Sequence, residues 1–157
     1  MFIEQYTMRS SIGPLYLVAS TEGLQGIFWR PKAIEMTKKP SNPYILQAID
    51  EVGEYLLGRR KDFNVKLDIV GSDFQKKVWK QLCHIPYGET RSYKDIAIKL
   101  NDKNASRAVG TANGKNPLSL IVPCHRVIAS DGTLGGYAGG LDIKTKLLQL
   151  ERDLLNS

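Results

Sequence analysis

Histidine and cysteine are scarce in this chain, two of each among 157 residues, and residues 1–70 contain neither. A zinc site built from those ligands is therefore excluded from the first part of the chain. No apolar run approaches the ~18 residues that a membrane-spanning helix needs. Residues 1–10 carry polar and charged side chains where a secretion signal requires an apolar stretch. A reducing, cytoplasmic setting is expected, nucleoid-associated if the cell is prokaryotic, with Cys83 and Cys124 as free thiols. Acidic residues are the minority, 16 against 22 Lys and Arg, for a net charge of +6 and a pI near 9.3. Such a balance suits an anionic partner, because phosphate neutralisation supplies most non-specific DNA affinity, although it serves solubility equally well. The length permits one sizeable domain or two small ones without disulfides.

Residues 1–70 read as a small α/β unit. Three short strands are expected at 2–9, 15–19 and 24–29, separated by Ser-Ser-Ile-Gly-Pro and Thr-Glu-Gly turns. A helix over 43–57 presents Ile45, Ile49, Val52, Leu56 and Leu57 on one side. Residues 63–70 read as a further strand, and 32–43, polar and bounded by prolines, as a loop. Beyond Gly71, Ser72 with Gln75 forms a capping box ahead of Phe74, Val78, Trp79 and Leu82. Pro86-Tyr87-Gly88 turns the chain. Ser92 with Asp95 is a second capping box, opening a short helix through Ile96, Ala97 and Leu100, and a third helix is expected from Ala105 to about Ala112. Two short helices joined by a tight turn make a helix-turn-helix candidate. The second is nearly stripped of side chains: Ala105, Ser106, Ala108, Gly110, Thr111 and Ala112. That surface suits the minor groove, ~6 Å wide, and it suits close packing against a core equally well.

The densest chemistry lies in Ile121-Val122-Pro123-Cys124-His125-Arg126-Val127. Residues 120–123 read as an interior strand stopped by its proline, which places Cys124 at a strand end. Beside an imidazole and an arginine its thiol pKa is expected to fall below the free value of about 8.5. A small, inert core cysteine is an equally good reading of the Cys-His pair alone. On a strand, neighbouring side chains face opposite ways, so a direct contact is not required and a bridging water serves. In the last helix Ile143, Leu147, Leu148, Leu150, Leu154 and Leu155 form an apolar stripe that includes Glu151. A carboxylate there needs a partner; His125 is the natural one, and Lys144 at the stripe edge is the competing one.

The Pro-Cys-His-Arg-Val core, with Ser106-Arg107-Ala108-Val109-Gly110-Thr111-Ala112-Asn113-Gly114 and Asn116-Pro117 upstream and Gly135-Gly136-Tyr137-Ala138-Gly139-Gly140 downstream, resembles the O6-alkylguanine-DNA alkyltransferases. The likeness is tight from about Gly71 to Glu151 and looser before. It implies a mixed α+β or α/β chain with a small ribonuclease-H-like N-terminal domain, residues 1–70. A helix-turn-helix, winged-helix-like alkyltransferase domain would occupy residues 71–157. Some members bind zinc in the first domain, which this chain cannot do. The implied activity is suicide DNA repair: O6-alkylguanine, and by extension O4-alkylthymine, is flipped from the minor-groove side of duplex DNA and its alkyl group moved irreversibly to Cys124. Neither cofactor nor metal is implied, and the protein would act as a monomer.

By the same resemblance, His125 takes the thiol proton through water and Glu151 orients and charges the imidazole. Tyr93 donates to the flipped base. Asn116 ties the DNA-binding helix to the active-site loop. Arg107 fills the gap in the base stack, with Ser106, Ala108, Gly110 and Thr111 along the groove. Val127, Tyr137 and Ala138 line the guanine pocket, where main-chain groups read the base edge. Cys83 and His84 match no catalytic position and read as structural. A lesion-binding relative without transfer would lack Cys124, a Cys-His hydrolase would have no use for a helix-turn-helix, and a basic transcription factor would leave Glu151 unexplained.

Overall fold

The computed structural model describes residues 2–155, which separate into two compact units at Val70/Gly71. The first is a sheet covered by one helix. Strands β1 (Glu4–Met8), β2 (Leu15–Ala19) and β3 (Leu24–Phe28) form an antiparallel meander, and β4 (Met36–Thr37) adds in parallel to β1, giving the order β3-β2-β1-β4. Helix α1 (Pro43–Leu56) opens with Asn42 accepting from the amides of Tyr44 and Ile45 and with proline at the first turn, two devices that suit a helix start. Leu15, Leu17 and Ile27 from the sheet and Ile45, Val52 and Tyr55 from α1 are fully buried. The Glu4 carboxylate of β1 accepts from the amides of Ser41 and Asn42, at 2.8 and 3.0 Å, and so fastens the helix start to the sheet.

Two expectations fail here. The segment 32–43 is not wholly loop, because it contributes β4. Buried Gln5 accepts from the Lys32 amide at 2.8 Å and donates to the Ile34 carbonyl at 2.9 Å, which holds the segment against β1 without any apolar alternation to reveal it. Residues 63–70, expected as a strand, make only an isolated bridge between Leu67 and Leu24. The amides of Asn64 and Val65 are taken by the Glu51 carboxylate, at 2.8 and 3.2 Å, instead of by a ladder.

The second unit is helical: α2 (Asp73–Leu82), α3 (Tyr93–Lys99), α4 (Ser106–Gly114) and α5 (Leu141–Leu155), with a two-stranded parallel sheet of β5 (Arg91–Ser92) and β6 (Val127–Ile128). Both capping boxes are formed, Ser72 with Gln75 and Ser92 with Asp95. The Trp79 indole of α2 donates to the Ala112 carbonyl of α4 at 2.9 Å, anchoring α4 through its backbone. Among the described residues no helix is long and apolar enough to cross a membrane.

Candidate active site

The segment before Cys124 is not a strand. Asn116, nearly buried, spends both ends of its amide there: Nδ2 donates to the Val122 carbonyl at 2.8 Å and Oδ1 accepts from the Leu118 amide at 3.0 Å. The Val122 amide returns to the Leu118 carbonyl at 2.9 Å, and Leu120 is forced to a φ of +76°, a conformation that costs a non-glycine residue about 1–2 kcal/mol. At Pro123, φ −79° and ψ 65° make an inverse γ-turn, closed by the Cys124 amide on the Val122 carbonyl at 2.7 Å. The apolar run 120–123 is thus a loop held by local turns and by the Asn116 amide, a pattern that hydrophobicity alone does not distinguish from a strand.

Cys124–Arg126 is a single 3₁₀ turn, in which successive side chains diverge by about 120°. The expected two-faced alternation is replaced by three directions. Cys124 lines a cavity of about 320 Å³. His125 and Arg126 reach Glu151 of α5. His125 Nε2 lies 2.7 Å from Glu151 Oε2, with both side chains fully buried. A carboxylate only accepts, so Nε2 carries the hydrogen and Nδ1 is the accepting nitrogen of the neutral ring. The Arg126 guanidinium donates to both oxygens of Glu151, at 2.8 and 3.0 Å, and to the Ile85 carbonyl at 2.7 Å. The amide of Gly88 adds a bond of 3.1 Å to Glu151. Gly88 has a φ of +81°, and a Cβ there would lie 2.0 Å from Leu155, so only glycine admits this approach.

Burial alone would raise the carboxyl of Glu151, but hydrogen bonds from His125 and Arg126 outweigh it and hold the group well below the usual range. Burial lowers the pKa of His125, and Glu151, already matched by Arg126, only partly opposes this. Cys124 moves opposite to expectation: burial raises its thiol pKa, with Asn116 and Lys144 pulling it down less strongly. The resting pair is a neutral thiol and a neutral imidazole.

Lys144 is not the partner of Glu151. Completely buried on the same face of α5 as Leu147, Leu148 and Glu151, it donates to the carbonyls of Val127 at 2.7 Å, Gly136 at 3.2 Å, and Leu134. It joins the chain after the reactive turn to the cavity rim. Burial lowers its pKa to about 8, against the pull of Cys124.

The rest of the cavity wall comes from α3, α4 and the rim. Tyr93, first residue of α3, receives the Gly136 amide on its hydroxyl, and burial raises its pKa. Gly135, at a φ of +70°, lies so close that a Cβ would be 2.7 Å from the Tyr93 oxygen. Tyr137 and Ala138 line the space, as do Gly110 and Asn113. Val127 is not among the lining residues; it is fully buried and pairs with Arg91. Elsewhere on α4, Arg107, Ala108 and Thr111 are exposed and Ser106 is half-exposed. Cys83 and His84 are exposed beyond the end of α2.

Three comparisons with known proteins bear on this arrangement. Residues 73–153 match the family model of the 6-O-methylguanine DNA methyltransferase DNA-binding domain, and residues 4–69 match the ribonuclease-like domain of the same family. The chain belongs to this family. The methylated-DNA–protein-cysteine methyltransferase of Methanosarcina barkeri is 46% identical over 152 residues, covering 94% of this chain and 96% of that protein. Among solved structures, the O6-methylguanine methyltransferase of Mycobacterium tuberculosis superposes with a TM-score of 0.86 at 43% identity, covering 97% and 94% of the two chains. A crystal structure from the same organism, described as OGT in complex with DNA, gives 0.87 at 43% identity over 96% and 94%. Against this family background, the sequence reading gave no site role to Arg126 or Asn113 and placed Lys144 only as a competing partner of Glu151. Arg126 stood in the quoted motif, two positions after the cysteine. Lys144 lies seven residues before Glu151 and hence on its face. Asn113 lies one turn after Gly110.

Proposed function

We propose that Cys124 is the acceptor cysteine and that the cavity beside it receives an O6-alkylated guanine extruded from duplex DNA. As a member of this family the protein is a methylated-DNA–protein-cysteine methyltransferase and repairs DNA by alkyl transfer to one of its own cysteines. One observation carries the assignment to Cys124: it lines a base-sized cavity, and the next residue is a neutral imidazole held by a buried, doubly anchored carboxylate. Cys83 has no such surroundings among the described residues.

In the proposed reaction His125 Nδ1 takes the thiol proton, through a water, as the sulfur attacks the alkyl carbon. The S–C bond forms, the C–O6 bond breaks, and its electron pair leaves with the purine. A proton delivered to the ring makes guanine a neutral leaving group, with the Tyr93 hydroxyl donating to a ring nitrogen. The transient imidazolium is stabilised by Glu151, and the thiolate by Asn116 and Lys144. Since the product is a thioether, each chain acts once. The exposed face of α4 would enter the minor groove, with Arg107 taking the place of the flipped nucleotide.

The test is intact-mass analysis and peptide mapping after incubation with an O6-methylguanine duplex. The added mass is expected to plateau at about one methyl group per chain, on the peptide containing Cys124. Repeated turnover, or methylation of Cys83, would overturn the assignment. Arg107→Ala is expected to slow repair of the duplex by roughly ten- to a hundredfold, since unstacking costs a few kcal/mol. Reaction with the free alkylated base should stay within about twofold of the unsubstituted rate, because no stack is opened. Measuring both substrates checks this, and equal slowing would remove Arg107 from that role.

A further inference from the structure

We propose that Lys144 is a positioning residue that acts through Gly136 on Tyr93, so that the tyrosine hydroxyl keeps its own hydrogen for the leaving purine. The inference rests on the reading above in which Tyr93 donates to that purine. An ammonium has three N–H donors and no acceptor. Lys144 directs its donors to backbone carbonyls alone: Val127, just beyond the reactive turn, and Leu134 and Gly136 in the cavity rim. Burying a cation is costly unless acceptors are well placed, and the acceptors chosen here fix the rim to the chain that carries Cys124. The rim needs such a clamp. Between residues 132 and 140 it holds Gly132, Gly135, Gly136, Gly139 and Gly140, and glycine loses more conformational freedom on ordering than any other residue.

Gly136 is held from both sides. Its carbonyl accepts from Lys144 at 3.2 Å, and its amide donates to the Tyr93 hydroxyl oxygen. The neighbouring Gly135 lies so close that a Cβ would be 2.7 Å from that oxygen, which seats the rim directly on the tyrosine. A phenol has one hydrogen to give and accepts on its oxygen. With the Gly136 amide on the oxygen, the hydroxyl hydrogen turns away from that amide, and Tyr93 lines the cavity that Cys124 also lines. Without Lys144 the Gly136 peptide is free to turn, and its carbonyl can then compete for the hydroxyl hydrogen.

Two reactions of Cys124 test the proposal: methyl transfer from a saturating O6-methylguanine duplex, whose purine must be protonated as it leaves, and alkylation by iodoacetamide, whose iodide needs no proton. Dividing the first rate by the second cancels any effect on the thiol itself. Lys144→Met is expected to lower this quotient by about tenfold, and Tyr93→Phe by about tenfold or more. Adding Lys144→Met to Tyr93→Phe should then change it by less than about twofold, because residues that act as one unit are not additive. A quotient unchanged by Lys144→Met, or lowered equally with and without the tyrosine hydroxyl, would overturn the proposal. Hydrogen exchange at the Gly136 amide tests the same link with Lys144 in place, whether or not Lys144→Met folds. Exchange should quicken by about tenfold in Tyr93→Phe, which loses the acceptor, and equal exchange in the two proteins would overturn the proposal as well. An unsubstituted protein that takes iodoacetamide on Cys124 but no methyl group from the duplex would instead overturn the alkyl-transfer reading itself.

Discussion

Cys124→Ser is expected to abolish methyl transfer, by about a thousandfold or more, while leaving DNA affinity within about twofold of the original. The nucleophile is the thiolate, and a serine hydroxyl is far too weak an acid for a neutral imidazole to ionise it. The substitution changes little else. Cys124 is 5% exposed in a turn whose backbone is held by Asn116, Val122 and Pro123 rather than by its own side chain. The surface assigned to the groove, with Arg107, Ala108 and Thr111, is formed by residues of α4 other than those that line the cavity. Single-turnover transfer and a binding titration on the same duplex check the two halves separately. Substantial transfer in the variant would show that another residue accepts the alkyl group. Loss of binding together with loss of transfer would show that Cys124 holds the domain together.

Glu151→Gln is expected to cost about 3–5 kcal/mol of stability and to slow transfer at neutral pH. The carboxylate accepts from His125, from Arg126 twice and from the Gly88 amide, with no exposure to water. Glutamine can accept some of these bonds but leaves the Arg126 guanidinium buried with no counter-charge, which is the expensive part. Because folding depresses the pKa of Glu151, its contribution to stability is full above the unfolded value of about 4.3. It is lost progressively as pH falls below that toward the folded value. The variant should therefore melt lower than the unsubstituted protein at pH 7, and the gap should narrow in acid. Melting temperatures at several pH values check this; a constant gap would mean that the charge of Glu151 contributes nothing.

Elements were legible where a side chain acts on its own neighbourhood. The capping boxes at Ser72 and Ser92, strand β2 and the start of α1 at Pro43 all follow from local signals, and Glu151 in an apolar helix face announced a buried partner. The misreadings share one cause, a distant side chain satisfying backbone that would otherwise pair. Asn116 turns 120–123 into a loop, Glu51 caps the amides of Asn64 and Val65, and Gln5 recruits β4 from a polar stretch. The thiol was misjudged for a related reason: adjacency to a histidine and an arginine suggested activation, but both side chains are committed to Glu151, and burial decides the resting state. Lys144 stood as the competing partner of Glu151 because spacing places them on one face, whereas backbone carbonyls, invisible in a sequence, bind it.

The central claim is that a buried, neutral thiol is activated by a neutral His125, and the pH dependence of methyl transfer from free O6-methylguanine base to Cys124 tests it without DNA binding. The rate should be flat between about pH 7 and 8 and should fall in acid only below about 6.5, because burial lowers the pKa of His125 below its ordinary value. In Glu151→Gln the rate near neutrality should drop and recover partly toward alkaline pH, where hydroxide removes the thiol proton directly. A rate in the unsubstituted protein that climbs about tenfold per pH unit from 7 to 9, as an unassisted thiol would, would contradict the claim.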